Sequence, residues 1–81
     1  MARVTITRCS ACPTINSHTS LVVYSLQEDG IIAAIRDGQA GEFKIDVEGQ
    51  LAIAKKGDQL PSVDACVRAV EHIIGPSLLP G

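Results

Sequence analysis

The chain has 81 residues, of which 46% are hydrophobic and only 2% aromatic, and its formal net charge is -2. The short length predicts one domain over residues 1–75 with a flexible tail at 76–81, and we expect it to act as a monomer. The absence of a basic stripe argues against nucleic acid as a partner. It has no apolar run of the roughly 18–20 residues that span a membrane. It also has no signal-peptide core. We therefore expect a cytoplasmic protein without membrane association.

The first third of the chain predicts a strand followed by a helix. Polar and apolar residues alternate over residues 3–7, which is the period of a half-buried strand. After Cys9-Ser10-Ala11-Cys12, Pro13 suits the first turn of a helix, because its missing N–H costs nothing there. The helix over residues 13–28 ends before Gly30 and has one apolar face, formed by Ile15, Thr19, Val22, Val23 and Leu26.

The middle of the chain predicts three further strands. The apolar run 31–35 is read as a strand parallel to the first, with the helix as a right-handed crossover. Strict alternation over 43–53 predicts a hairpin with one face toward water. A two-residue Glu48-Gly49 turn would place Leu51 opposite Asp46, whereas a three-residue loop would place it opposite Ile45. We prefer the longer loop, because it pairs apolar residues.

The last predicted element is a helix over residues 62–74, ended by Gly75-Pro76. Cys66 shares its apolar face and is interpreted as a small buried hydrophobe. His72 lies on the opposite face, and both it and His18 are expected at the surface. The elements give an α/β fold of order β-α-β-β-β-α, a mixed four-stranded sheet with both helices on one face. The predicted core consists of Val4, Ile6, Val22, Val23, Leu26, Ile45, Ile53, Val63, Val67, Val70 and Ile74.

Cys9 and Cys12 are the candidate site residues. Three cysteines are too few and odd in number for a disulfide scaffold, so a reactive pair with one bystander is the simpler interpretation. At a strand–helix junction, the helix N-terminus stabilises a thiolate, and Arg8 adds a nearby cation. One thiol can then attack a disulfide and the other resolve the mixed disulfide. An inert pair and half of a metal site are the alternatives, but we predict no metal and no bound cofactor.

The chain resembles the selenoprotein W or Rdx family. The similarity is clearest over Ile6 to Cys12, continues at Gly41-Glu42-Phe43-Lys44-Ile45-Asp46-Val47-Glu48-Gly49-Gln50-Leu51, and extends through Lys55-Lys56-Gly57-Asp58 into the last helix. The resemblance implies a thioredoxin-like fold and a glutathione-linked redox role. Cys9 matches the family's first cysteine, and Cys12 matches the position of selenocysteine in its selenoproteins. Thioredoxins proper have a proline before the hairpin, where this chain has Gln39-Ala40-Gly41.

Two functions remain open beside a metal carrier. The first is thiol–disulfide exchange with glutathione or protein thiols. The second is a non-catalytic protein-binding module whose cysteine loop is a redox-sensitive docking site. For the first, the resemblance favours Cys12 as the attacking thiol. The order of the elements favours Cys9, because Cys12 should be partly covered by its own helical turn and by Pro13. We expect Cys9 to be the exposed attacker.

Overall fold

The computed structural model describes residues 3–57 and 59–74. Its four strands form one mixed sheet of order β2-β1-β3-β4, in which β1 is parallel to β2 and antiparallel to β3. The predicted order β-α-β-β-β-α and the α/β thioredoxin-like layout are confirmed. The elements are β1 (Val4–Arg8), α1 (Pro13–Glu28), β2 (Ala33–Asp37), β3 (Phe43–Val47), β4 (Gln50–Ala54) and α2 (Val63–Ile74).

Both helices cover the same face of the sheet. Val4 and Ile6 of β1 are buried, as are Ile45 and Val47, the residues that face them on β3. α1 packs on β1 and β2, α2 packs on β3 and β4, and the helices contact each other. The alternate residues of these strands, such as Lys44, lie on the face that neither helix covers. The period of two in the sequence therefore reports a two-layer structure.

The core agrees with most of the predicted set. Six predicted residues are fully buried: Val4, Ile6, Val22, Leu26, Ile45 and Val70. Five others pack against that cluster while partly exposed: Val23, Ile53, Val63, Val67 and Ile74. The predicted list omitted six buried hydrophobic residues: Ile15, Ile31, Phe43, Val47, Cys9 and Cys66. Periodicity already places Phe43 and Val47 on the face of Ile45, and Ile15 and Cys66 on apolar helix faces. Ile31 and Cys9 lie outside the regular elements, where periodicity defines no face.

β2 begins two residues later than predicted, because the end of α1 holds the preceding residues. Gly30 has φ +81°, and its N–H donates to the Gln27 carbonyl at 2.9 Å. The N–H of Ile31 donates to the carbonyl of Leu26 at 2.9 Å, and both side chains are buried. These two bonds form a Schellman motif with its usual apolar contact. Ile31 thus belongs to the helix cap rather than to the strand.

The hairpin adopts neither of the two registers considered. Glu48 and Gly49 have φ of 54° and 82°, as a two-residue turn requires, so the preferred three-residue loop is wrong. Leu51 faces Asp46, but an irregularity next to this pair then brings Ile53 opposite Ile45. The bulge returns Ile53 to the core face and leaves Leu51 exposed.

α2 has the N-cap that its amphipathic pattern needs. The hydroxyl of Ser62 accepts a hydrogen bond from the Ala65 N–H at 3.1 Å, so the helix begins at Val63, one residue later than predicted. On its exposed side, Arg68 and Asp64 form an i, i+4 ion pair at 3.0 Å. Neither α1 nor α2, the helices of the described residues, is long and apolar enough to cross a membrane.

Candidate thiol site

Hydrogen bonds on both sides fix the cysteine loop between β1 and α1. The N–H of Cys9 donates to the Glu42 carbonyl at 2.8 Å, which continues the pairing of β1 with the segment before β3. The N–H of Asn16 donates to the Cys12 carbonyl at 2.9 Å, the first bond of the helix. The Asn16 side-chain amide donates to the Ser10 carbonyl at 2.8 Å. The two cysteines are therefore held at a defined strand–helix junction.

The N-terminus of α1 is left without a side-chain cap. Cys12 is the N-cap residue, and it makes no side-chain capping hydrogen bond. Pro13 is the first helical residue, and no acidic residue lies in the first turn. The partial positive charge of this end is therefore not neutralised by a carboxylate and can stabilise a nearby thiolate.

The exposure of the two cysteines is the reverse of what we expected. Cys9 is 2% exposed and belongs to the hydrophobic core, whereas Cys12 is only partly buried. The expectation that Cys9 would be the exposed thiol is wrong. Its cause is the close approach of the segment before β3, to which Cys9 is bonded through Glu42. A sequence argument from the helical turn alone does not include this long-range contact.

The pKa values of the two thiols are shifted in opposite directions. The pKa of Cys9 is lowered, first by a hydrogen bond from the Cys12 thiol and then by the backbone N–H of Gly41. The pKa of Cys12 is raised, chiefly because Cys9 is beside it; Gly41 and the charge of Lys55 act in the opposite direction. Cys9 is therefore the thiol of the pair that loses its proton first, while Cys12 keeps its proton to higher pH.

Gly41 is the site residue that sequence reasoning missed, having assigned it only a turn. Its φ of +77° is one that side chains rarely adopt, and its backbone N–H lowers the pKa of both thiols. The loop before β3 is held by Glu42, whose side chain accepts from the Gln39 N–H at 2.8 Å. The available signal was a glycine at the approach to the hairpin, where thioredoxins place a proline. Within residues 3–57 and 59–74 there is no cis peptide bond.

Arg8 does not act as expected. Its guanidinium pairs with Asp37 at 2.6 Å, its direct register partner on β2. The lowered pKa of Cys9 instead follows from the Cys12 thiol and from backbone N–H groups. Arg8 thus joins the ends of β1 and β2 beneath the loop, and its charge is matched by a carboxylate.

His18 differs from its predicted surface position, whereas His72 is exposed as expected. The His18 ring lies edge-on to Phe43, with centroids 5.5 Å apart. Its Nε2 is buried and has no hydrogen-bond partner among the described residues. No group of three or more His, Cys, Asp or Glu side chains in this part of the chain could hold a metal ion.

Cys66 is buried as predicted and lies apart from the pair. Its thiol is fully enclosed, and burial raises its pKa to about 11. A neutral thiol in an apolar site is a weak nucleophile, because the thiolate is the reactive form. Cys66 therefore serves as packing volume on α2.

Comparison with known proteins relates the chain to two solved structures. A protein of Bordetella parapertussis superposes with a TM-score of 0.72 at 18% identity, covering 89% of this chain and 96% of its own. The selenoprotein W-related protein of Vibrio cholerae superposes with a TM-score of 0.70 at 19% identity, covering 91% and 98%. No family model and no curated protein matches the sequence. The likeness shows a shared fold.

Proposed function

We propose that this chain exchanges thiols and disulfides through Cys9 and Cys12, with glutathione or protein thiols as its partners. The observation that carries the proposal is the position of Cys9 and Cys12 at the uncapped N-terminus of α1, where the pKa of Cys9 is lowered beside the Cys12 thiol. A buried structural cysteine has a raised pKa, as Cys66 does. The pKa of Cys9 is instead lowered, by the Cys12 thiol and the backbone N–H of Gly41, so its surroundings favour the thiolate.

In the proposed reaction, Cys12 makes the first attack because its sulfur is the accessible one of the pair. As the Cys12 sulfur bonds to one sulfur of an external disulfide, its proton passes to the Cys9 thiolate through their hydrogen bond. The external S–S bond breaks, and the departing thiolate takes the proton from Cys9. The Cys9 thiolate then attacks Cys12, forms the internal disulfide and releases the second thiolate, which takes a proton from water.

The stoichiometry of this cycle is balanced. One external disulfide is reduced to two thiols, and the Cys9–Cys12 dithiol is oxidised to a disulfide by the same two electrons. Two molecules of a small thiol such as glutathione would return the protein to its reduced form through the reverse steps. Glutathione is proposed on the resemblance to the selenoprotein W family.

A redox titration in glutathione buffers tests the proposal. We expect the protein to pass from a dithiol to a Cys9–Cys12 disulfide in one two-electron transition. The fraction of each form is measured by alkylating the free thiols and analysing the products by mass spectrometry. Cys9→Ser and Cys12→Ser should each abolish the internal disulfide. Cys66→Ser is the matched control, because it removes a thiol that lies outside the pair, and it should retain the transition.

Two results would count against the proposal. One is that both thiols of the pair titrate near their ordinary value. The other is that no internal disulfide forms at any glutathione ratio. Together they would favour the non-catalytic binding module, in which the cysteine loop contacts a partner without exchanging bonds.

A further inference from the structure

A groove separates α1 from α2 on the outer surface of the helical layer, away from the cysteine pair. It has a volume of about 480 Å³ and is lined by the C-terminal half of α1 and the N-terminal half of α2. Val63 and Val67 form its apolar floor on α2, and each is only partly buried. Tyr24, the only tyrosine in the chain, forms its wall on α1.

The apolar character of the groove extends onto the exposed surface of α1. Tyr24 is 63% exposed, and Leu21, one helical turn before Ser25 of the groove, is 57% exposed. Large apolar side chains that stay in water gain free energy when a partner covers them. Tyrosine is also enriched at protein interfaces, because it offers much contact area with few rotatable bonds.

The rim of the groove is acidic. Glu28, Asp29 and Asp64 line it, and no basic residue is among its lining residues. Glu28 and Asp29 lie at the C-terminal end of α1, where the helix dipole is already negative and where the last turn has no basic residue. The negative end of the α1 dipole therefore repels the charges of these two carboxylates.

The neighbouring Glu71 on α2 shows the electrostatic consequence. Its pKa is raised by burial, by a hydrogen bond with Asp29 and by the negative charges of Asp29 and Asp64; Arg68 acts in the opposite direction. Arg68 is already paired with Asp64 at 3.0 Å, and both side chains are largely exposed. The rim thus retains an excess of negative charge that an approaching cation would relieve.

This charge distinguishes between possible occupants of the groove. Nucleic acid and anionic membranes carry the same sign as the rim and would be repelled. The residues 75–81 that follow α2 contain no cationic side chain. In a second copy, the same acidic groove would face its own like charges across a symmetric contact. A cationic partner with apolar side chains satisfies both the rim and the floor.

We propose that the α1–α2 groove is a docking site for a basic amphipathic helix of a partner protein. Apolar residues on one face of that helix would cover Tyr24, Val63 and Val67, as in other helix-in-groove complexes. Its Lys or Arg residues would pair with Glu28 and Asp29, since Asp64 is already paired with Arg68. This site is independent of thiol chemistry and does not require Cys9 or Cys12.

A synthetic helical peptide of leucine and lysine, with leucine at i, i+3, i+4 and i+7, is a suitable probe. Titrated into the reduced, isotope-labelled full chain, it should shift the NMR signals of the groove residues. The same composition in scrambled order, and a leucine–glutamate peptide of the original order, should bind much more weakly. Binding should also weaken as salt increases, because exposed charges are screened.

Two substitutions with matched controls assign the contacts. Tyr24→Ala should weaken binding about fivefold or more. Leu51→Ala removes a comparably exposed apolar side chain (55%) from the uncovered face of the sheet and should leave the affinity unchanged. Glu28→Gln should reduce both the affinity and its salt dependence, whereas Glu48→Gln in the hairpin turn should change neither.

Three results would overturn the proposal. One is equal binding by the scrambled or the glutamate peptide. Another is a set of shifted signals centred on the cysteine loop or on the uncovered sheet face. The third is a change of the groove signals when the protein alone is concentrated, because this would identify a second copy as the occupant. None of these results depends on the outcome of the redox titration.

Discussion

Cys9 and Cys12 have opposite pKa shifts although only two residues lie between them. The difference arises because one sulfur accepts a hydrogen bond that the other donates. The two cysteines also differ in exposure. Cys9, whose pKa is lowered, is enclosed, whereas Cys12 is partly exposed to solvent. The pair thus combines a stabilised charge with a reachable nucleophile, which neither thiol provides alone.

Limited alkylation of the reduced protein tests this division between the two sulfurs. With iodoacetamide below one equivalent, we expect mass spectrometry to find most of the label on Cys12. The reagent can reach the partly exposed Cys12 sulfur, whereas the Cys9 sulfur is enclosed even though its pKa is lower. Cys66 should remain unlabelled at the same pH and serves as the internal control. Dominant labelling of Cys9 would mean that its thiolate is reached through opening of the loop, and it would reverse the proposed roles.

Cys66→Ala should cost about 1 kcal/mol of folding free energy and leave thiol exchange intact, because the side chain only fills space in the core. Burial raises the pKa of Cys66 from its ordinary value of 9.0 to about 11. The folded state therefore resists ionisation of this thiol. Its contribution to stability is full below pH 9 and is lost as the pH rises toward 11.

The corresponding measurement is urea unfolding of the wild type and of Cys66→Ala between neutral and alkaline pH. The stability of the wild type should fall more steeply above pH 9 than that of the variant. Parallel curves would show that Cys66 is not buried in solution. A loss of turnover with unchanged stability would assign it a chemical role.

At the scale of elements, the segment before β3 completes a site that the cysteine loop only begins. The Glu42 carbonyl accepts the Cys9 N–H, and the backbone N–H of Gly41 lowers the pKa of both thiols. Gly41 needs its positive φ of +77° to do so, whereas a Cβ there would meet no atom within 4 Å. Its replacement therefore tests backbone conformation rather than crowding.

Gly41→Ala should destabilise the fold by about 1 kcal/mol and should raise the pKa of Cys9, because the strained loop releases its donor. Gly30→Ala is the matched control: it has φ +81° and equally open space, but it caps the far end of α1. Thiolate absorbance followed against pH should shift for Gly41→Ala only. Equal titration curves for both variants would exclude Gly41 from the site.

At the scale of the molecule, most side chains of the central strand β1 are buried, whereas those of the edge strand β2 are largely exposed. Ile6 of β1 and Ile35 of β2 are register partners, yet Ile6 is 0% exposed and Ile35 is 47% exposed. α1 packs on β1 and β2 while α2 packs on β3 and β4, yet most side chains of the edge strand β2 remain exposed. The same residue type therefore has two different energetic roles in neighbouring strands.

Ile6→Ala should cost about 2–5 kcal/mol of unfolding free energy, because it leaves a cavity in a packed core. Ile35→Ala should cost less than about 1 kcal/mol, since its side chain is already half in water. Chemical denaturation of both variants, with the wild type as reference, measures the difference. Equal losses would indicate that the edge of β2 is covered in solution.

The local pattern of the sequence determined most of the fold. Alternation located β1 and β3, and the i, i+3, i+4 spacing located both helices, because each element exposes a distinct side-chain period. Pro13 and Gly30 marked the ends of α1, which spans residues 13–28 as predicted. The same reasoning identified Cys9 and Cys12, since a Cys-x-x-Cys motif at a strand–helix junction has a recognised chemical meaning.

Only the tertiary structure decided which side chains are covered and what the thiols contact. The exposure of Cys9 and Cys12, the effect of Gly41 on their pKa and the pairing of Arg8 with Asp37 all arise between residues 29 to 33 positions apart. The bulge beside Leu51 likewise depends on the core that Ile53 must reach. Periodicity describes each segment separately, whereas access, pKa and register are set by the surfaces that packing brings together.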